Sequence, residues 1–547
     1  MIRRPPRSTQ SRSSAASDVY KRQGGEIIYS AGGRLALKAA DIEHRGALYA
    51  SMGEVALEAT RPGGRVYLAE GSVLSTAGEA AANYGGLDET FWTIRSRKTN
   101  ELLEVAGAPG KRVSLKADEV IVCEGSLVDA SGGGGIFAYQ FLPGIDGSKD
   151  PLKVSGRYVI VRDGSVRLPG PAVHIAENAA GLKPGTYSLL PEEYAFLPEA
   201  VILQATGSEA LPGALAPTKE GFPVAAGYFT EMGTGARSGA FKGFSVRPAR
   251  EVLAEGHFNR AEFAAGEGGA LAFSGRSTIL DGTIRAQALP GFSGGSLELA
   301  GTSVRVLERS APLPSGFDFG SALPAELIGI LDVASSAISD NGFRSIALGA
   351  SGTTDTVTIE AGSRLDVLSM TVTAANGISI GRGASISAAA AVENGGQLSL
   401  LSPAGQISVA EGAQLAAGRE LAIDARTLDL RGDFSIAPGG ALSLAGDALL
   451  IVPDGYVRTR PGLYLEERIW SRFAGISQVT LKSRSDLIFA GDVGLAARER
   501  LTIDAARIAG LRDGGAGNVS LAAASVSLLN SGAAAGAGSF ESAGRLH

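Results

Sequence analysis

A five-residue pattern recurs along this chain: apolar, any residue, apolar, charged or small, then Ala. In an extended strand successive side chains point to opposite faces, so the first and third positions should face a core and the second and fourth the solvent. Omitting one long gap, neighbouring occurrences are 20, 58, 64, 80 and 18 residues apart, close to multiples of about 20, which predicts a repeat architecture. The occurrences begin at Leu35, Val55, Val113, Val357, Leu421, Leu501 and Val519.

Residues 395–446 show the pattern most regularly. Six short alternating segments are separated mostly by corners that contain Gly, Pro or Asp, and corresponding segments recur after 23 and 21 residues. Three strands and three turns make one coil of a parallel β-helix, so the predicted fold class is all-β, a solenoid with about 20 residues per coil. The predicted strands are Leu398–Leu400, Ile407–Val409, Leu421–Ile423, Leu428–Leu430, Phe434–Ile436 and Leu442–Leu444.

Changes in the pattern divide the chain into regions. Residues 1–23 lack alternation and resemble translated sequencing-adapter read-through, so we exclude them from the fold; a basic disordered arm is the alternative. Residues 24–135 should form β-helix. Residues 136–256 lose the period and gain proline and aromatic residues, which predicts an inserted β-rich subdomain. Residues 257–547 should continue the β-helix.

Two excursions are expected within that second stretch of β-helix. One lies near residues 311–330, where proline is mixed with a short apolar run that suits a loop or one helical turn. The other lies near residues 451–479 and includes the sequence LEERIW, which suits a short helix. Both should project from the solenoid as irregular segments.

Composition excludes several kinds of partner. Without residues 1–23, Lys+Arg fall from 50 to 44 and Asp+Glu from 56 to 55, which leaves a formal net charge of −11. So acidic a chain is a poor partner for nucleic acid, because phosphate binding needs concentrated Lys and Arg. Cys123 is the one cysteine, so no disulfide framework is expected. The sequence contains no run of 18 apolar residues, the length that a membrane-spanning helix needs.

We expect no catalytic residue, no cofactor and no metal. Acidic residues at the fourth position of the pattern alternate with Lys and Ala, which is typical of a solvated face rather than a row of catalytic carboxylates. His174, His257 and His547 are scattered without the spacing of metal ligands. The fourth positions are Lys38, Glu58, Lys116, Glu360, Asp424, Asp504 and Ala522.

Arg431, Gly432 and Asp433 form an RGD tripeptide between two predicted strands, where a coil corner would expose it. Exposed RGD tripeptides bind integrin-type receptors, so these three residues are the candidate binding residues. The alternative is an ordinary corner, which needs glycine for its backbone conformation. Cell adhesion that is unchanged by Asp433→Glu would remove the receptor interpretation.

Two stretches carry a family resemblance. GGGGIFAYQFLPGIDGSKDPL, residues 132–152, together with GLKPGTYSLLPEEYAFLPEAVIL, residues 181–203, resembles a segment of large filamentous-haemagglutinin-like exoproteins of Gram-negative bacteria. The flanking five-residue patterns resemble their β-helical shafts, and the resemblance covers residues 24–547. It implies a right-handed parallel β-helix exported by two-partner secretion through an outer-membrane transporter. It also implies an adhesin, a monomeric filament that is secreted or surface-bound and binds a host-cell receptor or glycan.

Two alternatives to the adhesin stay open. A β-helix can also be a carbohydrate-active enzyme, a polysaccharide lyase or hydrolase, which degradation of a polysaccharide by the purified chain would reveal. The chain could instead be the shaft of a contact-dependent inhibition toxin, which a downstream toxin domain would reveal. Because the family's N-terminal secretion domain and a C-terminal anchor or effector are not evident, we expect an internal fragment.

Overall fold

The structure is a computed structural model of an all-β chain. It describes residues 31–78, 81–88, 91–96, 99–145, 147–162, 164, 170–197, 199–213, 215–232, 236–310, 312–388, 396–511, 517–532, 534 and 544–546. The segment 1–23, interpreted above as read-through, lies outside these residues. Within them, no helix has the length and apolar character needed to cross a membrane.

Helices are short. The α-helices are Ala249–Leu253, Ser335–Ser339 and Glu467–Trp470, and the 3₁₀-helices are Glu192–Phe196, Ala325–Leu327 and Ser471–Gly475. Three of these helices lie in the expected excursions. Ala325–Leu327 lies in the excursion near 311–330, where one helical turn is predicted. Glu467–Trp470 and Ser471–Gly475 lie in the one near 451–479, where a short helix is predicted.

Strands of the largest sheet, here called the main sheet, pair in parallel. They are Arg34–Ala39, Ile42–His44, Glu54–Ala59, Arg65–Leu68, Arg112–Val122, Ala270–Leu280, Gly295–Ala300, Ser303–Leu307, Ile330–Ala334, Phe343–Leu348, Thr356–Ile359, Ser369–Thr373, Gly377–Ile380, Gln397–Val409, Glu420–Leu430, Ala441–Gly446, Gln478–Ser483, Arg500–Asp504 and Ser525–Leu529. The prediction of an all-β chain is confirmed.

Smaller sheets line the other sides of the same core. The parallel ones contain Ala47–Tyr49, Val73–Ser75, Leu127–Asp129 and Thr283–Arg285; Arg364–Asp366, Ser385–Ala388, Gln414–Ala417 and Asp433–Ile436; Leu449–Ile451, Leu463–Leu465, Asp486–Ala490 and Arg507–Leu511; and Val493–Ala496, Gly517–Ala522 and Gly544–Leu546. A three-stranded antiparallel sheet contains Gly86–Asp88, Phe91–Arg95 and Leu102–Glu104.

One apolar column runs through the main sheet, because each strand places an aliphatic side chain directly over that of its parallel neighbour. Val55 and Leu421, which are 1% and 0% exposed, are typical members. The column contains Leu35, Val55, Val113, Leu271, Leu297, Ile346, Met370, Leu398, Leu421, Leu442, Val479, Leu501 and Val526. Burying aliphatic side chains in this way is the main favourable term for such a chain.

The register corrects the expected spacing. Val55 pairs directly with Val113, so the 58-residue step is one rung with a long excursion and not three coils. Uninterrupted neighbours are close to the expected period, since Arg34 pairs with Glu54 and Glu420 with Ala441. An excursion can have any length if it returns to the edge that it left, which is why spacing alone miscounts the rungs.

Two of the seven pattern occurrences lie outside the column. Val357 pairs with Val304 and Ile378, on a second line of strands in the main sheet. Val519 pairs with Val493 in a different parallel sheet. The pattern describes a strand with one buried face, and every side of the core is built from such strands. The sequence pattern therefore identifies strands without identifying the side on which they lie.

Residues 396–446 match the predicted alternation with two differences. The first two predicted strands form one strand, Gln397–Val409, and the next two form Glu420–Leu430. These two long strands pair with each other in parallel, and their register shifts between Ser402 and Gln406. A further strand, Gln414–Ala417, was not predicted. Its sequence AQLAAG resembles a corner in composition, although Leu415 is buried and pairs with Ile386.

An antiparallel six-stranded sheet, here called the inserted sheet, interrupts the parallel stack. It contains Arg157–Val161, Gly170–Ile175, Gly185–Ser188, Ala200–Glu209, Val224–Met232 and Lys242–Pro248. All of these strands fall within the predicted insertion, residues 136–256. Phe244 and Ile160 are fully buried in a core that is separate from the core of the stack.

A pair of strands forms the neck of the insertion. The strand Gly135–Phe141 leads into the insertion, and Phe258–Ala264 returns the chain to the stack; the two strands pair antiparallel. Gly135–Phe141 also pairs in parallel with Ala81–Asn83. Trp92 stacks on Phe263 with ring centroids 5.0 Å apart. These contacts attach the neck to the side of the parallel stack.

Buried Lys111 holds the returning chain against the stack. Its ammonium group donates hydrogen bonds to the carbonyl oxygens of Ala265 at 2.8 Å and Glu267 at 2.9 Å. Burial lowers the pKa of Lys111, and the charge of Glu267 raises it. The two carbonyl groups compensate for the desolvation of this cation.

Candidate functional site

The RGD corner lies between the strands Glu420–Leu430 and Asp433–Ile436. The backbone N–H groups of Arg431 and Gly432 donate to Val409, and that of Asp433 donates to Ala413. Arg431 donates to Asp429 at 3.1 Å, and Asp433 accepts from Arg472 at 2.7 Å. The two charged side chains are 65% and 68% exposed, so they are accessible, but the backbone between them is bonded to the preceding corner.

Gly432 is required by this packing. A Cβ atom at this position would lie 2.6 Å from the carbonyl oxygen of Ala413 and 2.8 Å from a methyl group of Val409. We expect Gly432→Ala to lower the free energy of unfolding by about 1–3 kcal/mol, because the neighbouring backbone has to move. Chemical denaturation measures the change. Gly46→Ala is the matched control at a corner with open space around it, and an equal loss there would contradict the steric explanation.

Acidic residues at the fourth position of the pattern do not meet as a catalytic pair. Glu58 lies between two cations, 3.0 Å from the ammonium of Lys38 and 3.6 Å from that of Lys116, and its hydrogen bond with Lys38 holds its pKa below the ordinary value. Asp424 and Asp504 lie three rungs apart in one line of the main sheet. That spacing is about 14 Å, beyond the separation used by glycosidases.

Asp424 and Asp504 are also engaged individually. Asp424 accepts from the guanidinium of Arg484. Asp504 lies 3.8 Å from the ammonium of Lys482, and hydrogen bonds from Ser531 hold its pKa below the ordinary value. These contacts match a surface of ion pairs between neighbouring segments of the parallel stack. Glu360 and Ala522 lie on other lines of strands, so the seven fourth positions form no single stripe.

His44 and His174 have local partners. His174 hydrogen-bonds Thr186 at 3.0 Å and stacks on Tyr228, and His44 hydrogen-bonds the carbonyl oxygen of Val73. Within the described part of the chain, no group of three or more His, Cys, Asp or Glu is placed to hold a metal ion. Cys123 is a half-buried free thiol whose pKa is raised by burial.

A cleft at the neck of the insertion is a candidate binding site that sequence reasoning missed. Its volume is about 800 Å³, and it opens where the inserted chain leaves the parallel stack. Tyr139 in its lining belongs to an aromatic group, since its ring lies 4.5 Å from that of Phe196 and 6.0 Å from that of Phe258. Residues lining the cleft include Asn83, Tyr139, Asp150, Lys153, Glu193 and Tyr194.

The neck cleft combines an aromatic surface with polar groups of both signs. Burial raises the pKa of Tyr139, and Glu192, Glu193 and Asp150 raise it further, so the phenol stays protonated and can donate a hydrogen bond. Lys153 lies 3.9 Å from Glu192 at the margin. A ring that packs against C–H groups, beside amide and carboxylate acceptors for hydroxyls, suits a carbohydrate.

Glu193, in the lining of the neck cleft, should make the free energy of unfolding depend on pH. Burial raises the pKa of this carboxyl above 4.5, its own backbone N–H lowers it, and Glu192 raises it. The folded protein therefore favours the protonated form, and the resulting stabilisation is present below the ordinary glutamate pKa and is lost as pH rises through the raised value. We expect Glu193→Gln to match the wild type in thermal stability at low pH and to exceed it at neutral pH.

Thermal unfolding followed by circular dichroism between pH 4 and pH 8 measures this difference. Glu326→Gln, a substitution at an exposed carboxylate, is the control and should leave the melting temperature unchanged across the range. A Glu193→Gln advantage that is the same at every pH would show that packing, and not the buried charge, is responsible.

A sequence signal for the neck cleft exists. Residues 136–256 are the part of the chain in which aromatic residues concentrate, but composition alone does not show which rings surround a cleft.

Comparison of the chain with protein-family models, with curated proteins and with solved structures gives no match. The inference of a function therefore depends on the geometry of the described residues and on the resemblance carried by residues 132–152 and 181–203.

Proposed function

We propose that this chain is a secreted or surface-exposed adhesin-type exoprotein. In this proposal a right-handed parallel β-helix forms the shaft, and the inserted sheet with its neck is the part that binds cells or glycans. The chain has no catalytic role, and it reaches the cell surface through an outer-membrane transporter of the two-partner type. It acts as a monomeric filament.

One observation carries the proposal: the parallel register continues across the insertion. Val113 pairs with Leu271 although 157 residues lie between them, and Arg112–Val122 is in register with Ala270–Leu280 over nearly its whole length. In a stack whose stability comes from nearest-neighbour contacts, an insertion that leaves and returns at one rung costs the stack little. Such an arrangement suits a shaft that displays a separate folded unit.

Shape provides a test of the shaft. The thirteen described members of the apolar column, spaced about 4.8 Å apart, correspond to a length of about 58 Å. We therefore expect small-angle X-ray scattering to give an elongated particle with a side projection. A compact, isotropic particle would contradict the β-helix.

Binding tests the function itself. Phe141 and Phe258 are paired neighbours, so an Asn-Gly turn can replace residues 142–257 and close the neck as a hairpin. The purified chain should bind cultured host cells or components of a glycan array, and the variant with the shortened neck should lose that binding while its circular dichroism stays β-type. Equal binding by the two proteins would place recognition in the shaft. Asp433→Glu, measured beside them, isolates the contribution of the RGD corner.

An enzymatic outcome is checked with the same protein. Incubating the purified chain with acidic and neutral polysaccharides and measuring chain length should show no depolymerisation. Shortening of a polysaccharide would overturn the adhesin proposal in favour of a lyase or hydrolase.

A further inference from the structure

A second cleft, here called the arginine cleft, lies on the inserted sheet and has a volume of about 1000 Å³. Its floor is a row of side chains on paired strands: Arg157 is opposite Gln204, Gln204 is opposite Ser245, and Ser245 is opposite Val224. Arg247 lies two residues beyond Ser245 on the same face. The residues that form the floor are therefore held by a sheet and not by a loop.

Two guanidinium groups share one carboxylate at this floor. Arg247 lies 2.6 Å from a carboxylate oxygen of Glu255, and Arg157 lies 3.9 Å from the other oxygen. The arginine side chains are only 12% and 13% exposed, whereas that of Glu255 is 41% exposed. Two arginine charges therefore face one glutamate charge in the least solvated part of the cleft, which leaves one positive charge unbalanced. A partly buried cation without an anion costs free energy.

Arg247 is held in place but is not fully used. Its guanidinium lies 4.2 Å from the centre of the Phe222 ring, which fixes its plane. Its Nε atom is buried and has no hydrogen-bond partner among the described residues. Arg157, in contrast, donates to Gln204 at 3.1 Å and to the carbonyl oxygen of Pro151. A guanidinium whose plane is fixed in this way is preorganised for the paired hydrogen bonds of a carboxylate.

Other charges at the cleft are at its rim. Glu209, Lys219 and Glu220 are exposed, so water screens them, and their signs do not reverse the charge of the floor. The rest of the lining is neutral: the floor also carries the amide of Gln204 and the hydroxyl of Ser245, and exposed Thr206 and Ser208 add two further hydroxyls. These groups match the hydroxyls of a sugar, and the floor matches one acid group.

We propose that the arginine cleft binds a sugar acid, with the carboxylate of the sugar on Arg247 and Arg157 and its hydroxyls on the neutral lining. This inference rests on the proposed function, since it names a ligand class for the insertion. The chain then recognises glycans that contain uronic or similar acidic residues.

Calorimetric titration of the full chain with methyl glucuronide tests the proposal, with methyl glucoside and acetate as comparison ligands. We expect methyl glucuronide to bind at least about tenfold more tightly than either, because a charge-assisted hydrogen bond and the sugar contacts each contribute. Equal binding of the glucoside would remove the role of the carboxylate. Equal binding of acetate would remove the role of the sugar.

Variants separate the site from the fold. Arg247→Lys should weaken glucuronide binding at least about tenfold, because an ammonium cannot replace the planar fork. Arg237→Lys, at an arginine stacked on Tyr228 away from this cleft, should leave binding unchanged. Ser208→Trp fills the cleft from its exposed rim and should also abolish binding, even if Arg247→Lys proves unstable. Wild-type affinity in either Arg247→Lys or Ser208→Trp overturns the proposal.

The two experiments distinguish an error in the sugar-acid inference from an error in the adhesin proposal. If glucuronide does not bind but the neck replacement still abolishes cell binding, the insertion binds another ligand and only the sugar-acid inference is wrong. If cell binding survives the neck replacement, the display function itself is wrong.

Discussion

Replacing Leu421 with alanine is expected to lower the free energy of unfolding by about 2–5 kcal/mol. Leu421 is fully buried in the apolar column between Leu398 and Leu442, in register with both. The parallel ladder fixes the spacing of the rungs, so the neighbours cannot collapse into the space that the three missing heavy atoms leave. The loss should therefore lie toward the upper part of that range.

Tryptophan fluorescence gives a local signal for this loss. The chain has two tryptophans, and Trp470 is buried in the same core as Leu421, with its indole N–H donating to the carbonyl oxygen of Val452 at 3.0 Å. In a Trp92→Phe background, denaturation followed by emission reports on that core. Ala422→Ser, on the outward face beside Leu421, is the control and should stay within about 0.5 kcal/mol. A similar small change for Leu421→Ala would contradict the stacked core.

Arg305→Met is expected to lower the free energy of unfolding by about 3–5 kcal/mol, because it leaves a charged carboxylate buried without its partner. Asp332 is 1% exposed and accepts two hydrogen bonds from Arg305, at 2.8 and 2.7 Å. The two residues are direct neighbours on adjacent parallel strands. The hydrogen bonds with Asp332 raise the pKa of Arg305, so the guanidinium group stays charged.

The double variant Arg305→Met/Asp332→Leu separates the pair from its surroundings. It should recover most of the lost stability, since replacing both buried charges by apolar groups is close to neutral. Arg61→Met is the control at an exposed pair, where Arg61 contacts Asp41 with the same two-point geometry, and it should cost at most about 1 kcal/mol. A double variant as unstable as Arg305→Met would show that packing, and not the buried charge, is responsible.

Much of the strand content was predictable, because a period of two is a local property of the chain. Positions one and three of the pattern at Val55 and Leu57 are buried as expected, and Glu58 faces solvent beside Lys38. The strand Gln414–Ala417 was missed because small residues on both faces weaken the alternation. The RGD corner was located between its strands, but its hydrogen bonds to Val409 and Ala413 depend on a segment about 20 residues earlier in the chain.

The arginine cleft was not predictable from the chain alone. Arg157 and Arg247 are 90 residues apart in sequence, and only the antiparallel pairing of their strands with Ala200–Glu209 brings both to Glu255. Nothing in the local sequence around either arginine differs from that of an exposed strand. Their partial burial, and the unused donor of Arg247, exist only after the sheet has formed.

The five-residue pattern by itself determined that the chain is built from strands with one buried face, since alternation depends only on the extended backbone. The tertiary structure decided which strands lie above one another: Val55 under Val113 across a long excursion, and Val357 and Val519 on other lines of strands. The reason is that the side of the core is set by where each corner turns and where each excursion returns. Those are contacts between distant parts of the chain, and a five-residue pattern does not contain them.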